Sequence, residues 1–274
     1  MYSLNQPIAI NDAIAAFPTL ARETAHPSRS ESYAHISTLD VIRAVTNNGL
    51  ALHGVTVAKV RKADRLGFEK HLLRFRVPNF SWAEESPELV IVNSHDGTSA
   101  LQAFAGIIRF ACANGLIVGT AFEKVRVTHT SSKAPTVIDA TYRVLDTFES
   151  LGKRVATFKS VALTPAEQAD MASKAVALRY PENNAIPFAP AIDPTLALVT
   201  RRHDDSPASL WHTLNRIQES VMGGGLRGRR TNLATGRNRN FTLRAVKGIG
   251  ATVDLNRALF DLADSVAASH GATL

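Results

Sequence analysis

An α+β fold is predicted for this 274-residue chain: a β-β-β-α core with a basic hairpin, followed by a mainly helical C-terminal half. Three observations predict it. At Leu52 the apolar period shifts from helical to roughly two residues, the mark of a passage from helix to strand. The alternation then runs through successive short segments separated by turn residues. From Val137 the helical spacing returns, and Thr164-Pro165-Ala166-Glu167 spells a capping box with proline at the first helical position.

Taken in order, residues 1–36 read as an irregular or partly helical lead. Ser37 to Val45 suits a helix capped at Ser37 or Thr38, with Asp40 in the first turn and a stop at Asn48-Gly49. Val55 to Arg61 alternates, a turn follows around Ala63 to Gly67, and Phe68 to Val77 makes the return strand. There Leu73, Phe75 and Val77 share one face, with Arg74 and Arg76 on the other. Leu89 to Asn93 is a third strand. Thr98 or Ser99 is expected to cap a helix through Phe104, Ile108 and Phe110, stopped by Asn114-Gly115. A strand at Lys124–His129 and a helix from Val137 to Glu149 come next. The capping box opens a helix to about Tyr180. Pro181 to Pro207 holds five prolines and reads as a loop or linker. A helix opening at Ser206-Pro207 runs through Trp211 and Val221 to Gly223-Gly224-Gly225, and Asp254 to Ala268 forms the last. Residues 37–160 are thus expected to form the α+β core. Residues 161–274 are expected to form a helical region with a basic Gly/Arg loop, packed on the core as one unit.

Composition narrows the setting. No apolar run approaches the roughly 20 residues that cross a bilayer. The start, Met1-Tyr2-Ser3-Leu4-Asn5, has neither the basic residues nor the apolar core of a signal peptide. The single cysteine, Cys112, forms no internal disulfide and sits in an apolar segment, where a packing role is expected. A cytoplasmic protein without cofactor is expected. The net charge of +7 is localised: between Ser220 and Val253 there is no Asp or Glu, while Arg227, Arg229, Arg230, Arg237, Arg239, Arg244 and Lys247 supply seven cations. The remaining 24 basic residues balance the 24 acidic ones. A cationic block on an otherwise neutral chain points to a polyanionic partner.

Three segments are candidates for chemistry. Gly223 to Arg239 joins glycines, which let backbone approach closely, to five arginines whose guanidinium forks match phosphate oxygens. The alternative is an inert surface loop. No Gly-Lys-Ser/Thr follows these glycines and no strand precedes them, which argues against a nucleotide-binding loop and an ATPase. The 54–76 hairpin carries Lys59, Arg61, Lys62, Arg65, Lys70, Arg74 and Arg76 against Asp64 and Glu69, a balance of +5. It is either an ordinary solvated face or one wall of a groove for a nucleic-acid strand. At Asn93-Ser94-His95-Asp96-Gly97, a strand end entering a helix N-terminus favours anions. His95 and Asp96 are alternatively two ligands of a metal nuclease, or the turn merely satisfies its own backbone. Trp82 is a possible stacking surface, whereas the helical spacing of Trp211 suits the core.

Several strings share one pattern: His26-Pro27-Ser28-Arg29-Ser30-Glu31-Ser32-Tyr33, Lys70-His71-Leu72-Leu73-Arg74-Phe75-Arg76, Asn93-Ser94-His95-Asp96-Gly97-Thr98-Ser99, Asn114-Gly115-Leu116-Ile117-Val118-Gly119, Tyr142-Arg143-Val144-Leu145, Gly223 to Arg230 and Ala245-Val246-Lys247-Gly248-Ile249. Over about residues 17–267 they resemble a phage- and plasmid-encoded family catalogued as domain of unknown function 932. The element order also resembles, in architecture alone, single-strand annealing proteins such as phage Beta and RecT. These resemblances imply work on mobile-element DNA and assembly into rings or filaments; the shortness of the apolar runs leads to the expectation of no membrane partner. The expectation is an ATP-independent single-stranded DNA-binding and annealing protein rather than a catalyst of covalent chemistry. Its contacts would be Lys59, Arg61, Lys70, Arg74, Arg76, Asn93 and His95 on the sheet side, with Arg227, Arg229, Arg230, Arg237, Arg239, Arg244 and Lys247 on the loop. A metal-dependent nuclease, and an anti-restriction or regulatory protein acting on a host protein, are the alternatives.

Overall fold

The computed structural model describes residues 6–82, 84–110, 115–119, 124–129, 135–180 and 188–273. Cys112 and Asn114, and with them the expected packing role of the thiol and the expected helix stop, lie outside the described residues. The chain divides into two compact units, Met1–Gly152 and Lys153–Leu274, so the division comes before the expected boundary at residue 160. Both helices and antiparallel sheets are present, which is the α+β class. No helix among the described residues is long and apolar enough to cross a membrane.

In the first unit a short helix α1 (Ile10–Ala16) precedes α2 (Thr38–Asn47). The start of α2 is the expected one: the Ser37 hydroxyl accepts the Asp40 N–H, and Val41, Ile42 and Val45 are buried. Six strands follow: β1 (Ala51–Val57), β2 (His71–Arg76), β3 (Glu85–Asn93), β4 (Leu101–Arg109), β5 (Gly115–Ile117) and β6 (Lys124–Val127). They form one antiparallel sheet in the order β1-β2-β3-β4-β5, with β6 also pairing β4. A helix, α3 (Pro135–Asp146), touches β3, β4 and β6.

The expected helix at 98–110 is instead β4, so the core is not β-β-β-α but a longer meander. β4 pairs β3 from Glu85↔Arg109 to Val92↔Gln102, and Leu101, Ala103, Phe104, Ala105, Ile107 and Ile108 are all buried. A strand covered on both faces loses its alternation, and a continuous apolar run carries no period that separates strand from helix.

The second unit begins within α4 (Phe148–Ser160), where the division falls. Three helices pack together: α5 (Pro165–Ala177), α6 (Leu210–Gly223) and α7 (Ile249–Ser269). The capping box is present as read: Thr164 Oγ1 accepts the Glu167 N–H, and the Thr164 N–H donates to Glu167 Oε2 at 2.7 Å. Trp211 lies in the core beside Leu210, Leu214 and Ile217. Helix α6 begins later than the expected Ser206-Pro207, because Ser209 is the residue whose side chain accepts the His212 N–H. Helix α7 begins at Ile249, ahead of the expected Asp254, running through Gly250.

The Gly/Arg segment is not a loop. With β7 (Phe188–Ile192), the strands β8 (Arg227–Asn232) and β9 (Asn238–Thr242) form a three-stranded antiparallel sheet in the order β7-β8-β9.

Candidate nucleic-acid interface

The foot of the β8–β9 hairpin is fixed by apolar burial. Leu226 and Leu243 are each 5% exposed, and their backbones join through Leu243 N–H to Leu226 O at 2.8 Å, with Gly225 N–H to Leu243 O at 2.8 Å. Gly224 turns the chain out of α6 at φ +74°, and a Cβ there would lie 2.6 Å from Ala245 N and 2.7 Å from Leu243 O. A Cβ on Gly228 would meet Ala191 O at 2.7 Å and the Phe241 ring at 2.8 Å. These two glycines serve close packing of protein on protein, not the approach of phosphate that their sequence setting suggested. Arg179 adds a brace, its guanidinium donating to Val221 O at the end of α6 and, at 2.8 Å, to Arg244 O.

Beyond the foot the hairpin is open. Residues 232–240 are exposed, as are Arg227, Arg229, Arg244 and Lys247, while Arg230 is half-buried. In the ladder Arg230 pairs directly with Arg239, Arg229 with Asn240, and Arg227 with Thr242. Directly opposed residues share a face, so one face carries Arg230 and Arg239 and the other Arg227 and Arg229. Arg230, Asn232, Thr235, Arg237 and Arg239 line a concavity of about 420 Å³, and Arg227, Gly228, Asn240, Phe241 and Thr242 one of about 630 Å³. Like charges opposed across a ladder destabilise it, and an anion placed between them reverses the sign. Ion pairs elsewhere in this unit include Arg154–Asp264, Lys174–Asp170, Arg202 with Asp205 and Glu219, and His270–Glu167.

The sheet of the first unit tells a different story. Arg74 and Arg76 share a face, as alternation requires, but both donate to one carboxylate, Glu88 on β3, which is fully buried. Arg76 Nε stands 2.9 Å from Glu88 Oε1, and Arg74 also reaches Gly115 O at 3.3 Å. These two arginines hold the sheet interior rather than an open basic wall, and their expected role at a nucleic-acid backbone is corrected accordingly. Lys59 and Arg61, past the end of β1, are exposed, and Lys70 is half-buried. They belong to a different unit from the hairpin.

Asn93 and His95 are also buried, at 1% and 0% exposure, so neither offers a surface contact. There is no helix after them: the Thr98 N–H and hydroxyl donate to Asp96 Oδ1, the Ser99 N–H donates to Ser94 Oγ, and Arg65 pairs with Asp96 at 3.0 Å. The turn satisfies its own backbone. Asp96 is held below the usual carboxylate range by hydrogen bonds from Thr98 and Arg65, against the opposing push of burial.

Sequence distance hid a histidine network around Thr38. His71 Nδ1 donates to Glu69 O at 2.8 Å, which leaves Nε2 to accept from Thr38 Oγ1, also at 2.8 Å. Thr38 Oγ1 in turn accepts from Asn93 Nδ2 at 2.9 Å and from His95 Nε2 at 3.3 Å. His95 Nε2 also donates to Thr19 O at 3.1 Å, so its Nδ1 is the acceptor for His35 Nε2 at 3.0 Å. The donors run one way, from His35 through His95 and Thr38 to His71. Burial pushes His71 down to about 4; burial first, then the facing imidazoles, pushes His95 down to about 3. Among the described residues no group of three or more His, Cys, Asp or Glu side chains is arranged to hold a metal ion.

The family model described as "Domain of unknown function (DUF932)" matches residues 25–260. Two proteins of Escherichia coli (strain K12) are similar over 262 residues, each alignment covering 96% of this chain and 92% of the relative: UPF0380 protein YafZ, 33% identical, and UPF0380 protein YfjQ, 34% identical. No solved structure matches the chain.

Proposed function

The chain belongs to the DUF932 family, and from that premise we propose that it is an ATP-independent single-stranded DNA-binding and annealing protein of phage or plasmid recombination. It acts in the cytoplasm as a homo-oligomer, a ring or filament, and needs no cofactor. The β8–β9 hairpin is the backbone-binding element, with Arg227, Arg229, Arg230, Arg237 and Arg239 on phosphates and Arg244 and Lys247 beside its foot. Lys59 and Arg61 are secondary contacts. Neutralising phosphates lets two complementary strands approach, and bases left outside the cationic faces remain free to pair.

The observation that carries this reading is the opposition of Arg230 and Arg239 across the ladder, within a segment that has no acidic residue from 220 to 253. A protein surface that only needs solubility intersperses both signs; a ladder bearing arginines on both faces is suited to a chain of phosphates.

Fluorescence anisotropy with an oligonucleotide tests it. With five phosphate contacts, log K against log[salt] has a slope of about −3.5, from roughly 0.7 counterion per phosphate on a single strand. The quintuple change of those arginines to serine abolishes binding and ATP-free annealing of complementary oligonucleotides. Absence of oligonucleotide binding by the intact protein at low salt overturns the reading.

A further inference from the structure

Leu233 stands at the apex of the β8–β9 turn and is 67% exposed, more than any other large apolar side chain among the described residues. A single exposed leucine is ordinary on a protein surface. The placement of this one is not. Asn232 Oδ1 accepts the N–H groups of both Ala234 and Thr235, at 3.0 and 2.9 Å, and the Asn232 N–H donates to Arg237 O at 2.9 Å. The apex is therefore a defined turn, and the leucine it presents lies in sequence between Arg230 and Arg237, with no carboxylate in the segment. Leu66, nearly as exposed at 63%, sits beside Asp64 and beside an arginine already paired with Asp96, and so provides an internal contrast.

We infer that Leu233 is a wedge: the hairpin strands hold phosphates while the apex leucine enters between neighbouring bases and unstacks them. The inference rests on the nucleic-acid reading above and adds nucleobases to its ligand. Apolar side chains flanked by arginine or lysine open base steps because the step offers an apolar slot while the cations hold the sugar-phosphate chain on either side. The ligand is a flexible single strand, whose base steps part more readily than those of a duplex.

The test uses the intact protein and a single-stranded oligonucleotide carrying 2-aminopurine, whose fluorescence rises when its base is unstacked. The native protein is expected to raise the signal on binding. Leu233→Ala loses the rise and binds about tenfold more weakly, the equivalent of burying one leucine side chain, with its salt slope unchanged. Leu233→Phe retains the rise, and Leu66→Ala behaves as the native protein. Binding without a fluorescence rise, or a rise that survives in Leu233→Ala, overturns the wedge while leaving phosphate binding intact. No binding to any oligonucleotide overturns the parent reading and the wedge with it. Co-sedimentation with phosphatidylglycerol vesicles that depends on Leu233, without a 2-aminopurine response, assigns the apex to lipid and also overturns the wedge.

Discussion

His71 and His95 each have no exposed surface, and burial favours the neutral imidazole of both in the folded protein. The sign of the linkage follows. Both folded-state values lie below the ordinary 6.5, so below that pH the unfolded chain binds more protons than the folded one, and stability falls as acid is added. Each neutral imidazole contributes about 1.4 kcal/mol per pH unit, so the pair approaches about 2.7 kcal/mol per unit between pH 6.5 and 5. Above 6.5 this contribution is flat. Urea unfolding followed from pH 7.5 to 5 measures it, and His71→Gln is expected to reduce the slope by about 1.4 kcal/mol per pH unit. Glu69 and Asp96 push His71 up without outweighing burial, whereas His71, His35 and His129 add to burial in pushing His95 down. A pH-independent midpoint would contradict the tautomers assigned to the network. At this same scale the sequence was least legible, since His35, Thr38, His71 and His95 are joined by folding and not by spacing. Arg74 and Arg76 mislead for a related reason: alternation identifies a shared face but not what lies across it, and Glu88 is on another strand.

At the scale of the elements, the hairpin depends on contacts that a methyl group would disturb. Gly228→Ala places Cβ 2.7 Å from the Ala191 carbonyl oxygen, a backbone atom of β7 that cannot turn aside as a side chain would. The expected cost is about 1–3 kcal/mol by overpacking, measured by urea unfolding. Oligonucleotide affinity is expected to fall although every arginine is still present. Unchanged affinity would mean that the arginines act from a disordered segment and not from a ladder. Helix starts were legible at Ser37 and Thr164, because capping is local chemistry, whereas the cap read at Thr98 or Ser99 opens a strand and that read at Ser206 lies ahead of the true cap, Ser209. Two elements were not legible: β4 looks helical because burial on both faces erases its alternation, and β8–β9 looks like a loop because its strand positions are filled by arginine, asparagine and glycine. Strand formation there comes from pairing with β7 and from the buried foot, which no local propensity records.

For the molecule as a whole, charge and unit boundary coincide. Residues 1–152 hold 15 Lys and Arg against 14 Asp and Glu, a net +1; residues 153–274 hold 16 against 10, a net +6. The cationic excess was fully legible in the sequence, and so was its address near the C-terminus. Its setting on a ladder was not. The register sets Arg239 opposite Arg230, and on the proposed reading an anion bound there favours the pair that like charge disfavours. Arg239→Thr should therefore reverse its effect with the ligand. The empty variant is expected to melt at a higher temperature than the native protein, by the gain of up to about 1 kcal/mol from removing a like-charge pair, and the variant saturated with oligonucleotide to melt at a lower one. Crossing melting curves would identify fitness for a guest, and not rest-state stability, as what set two arginines at opposed positions of the ladder.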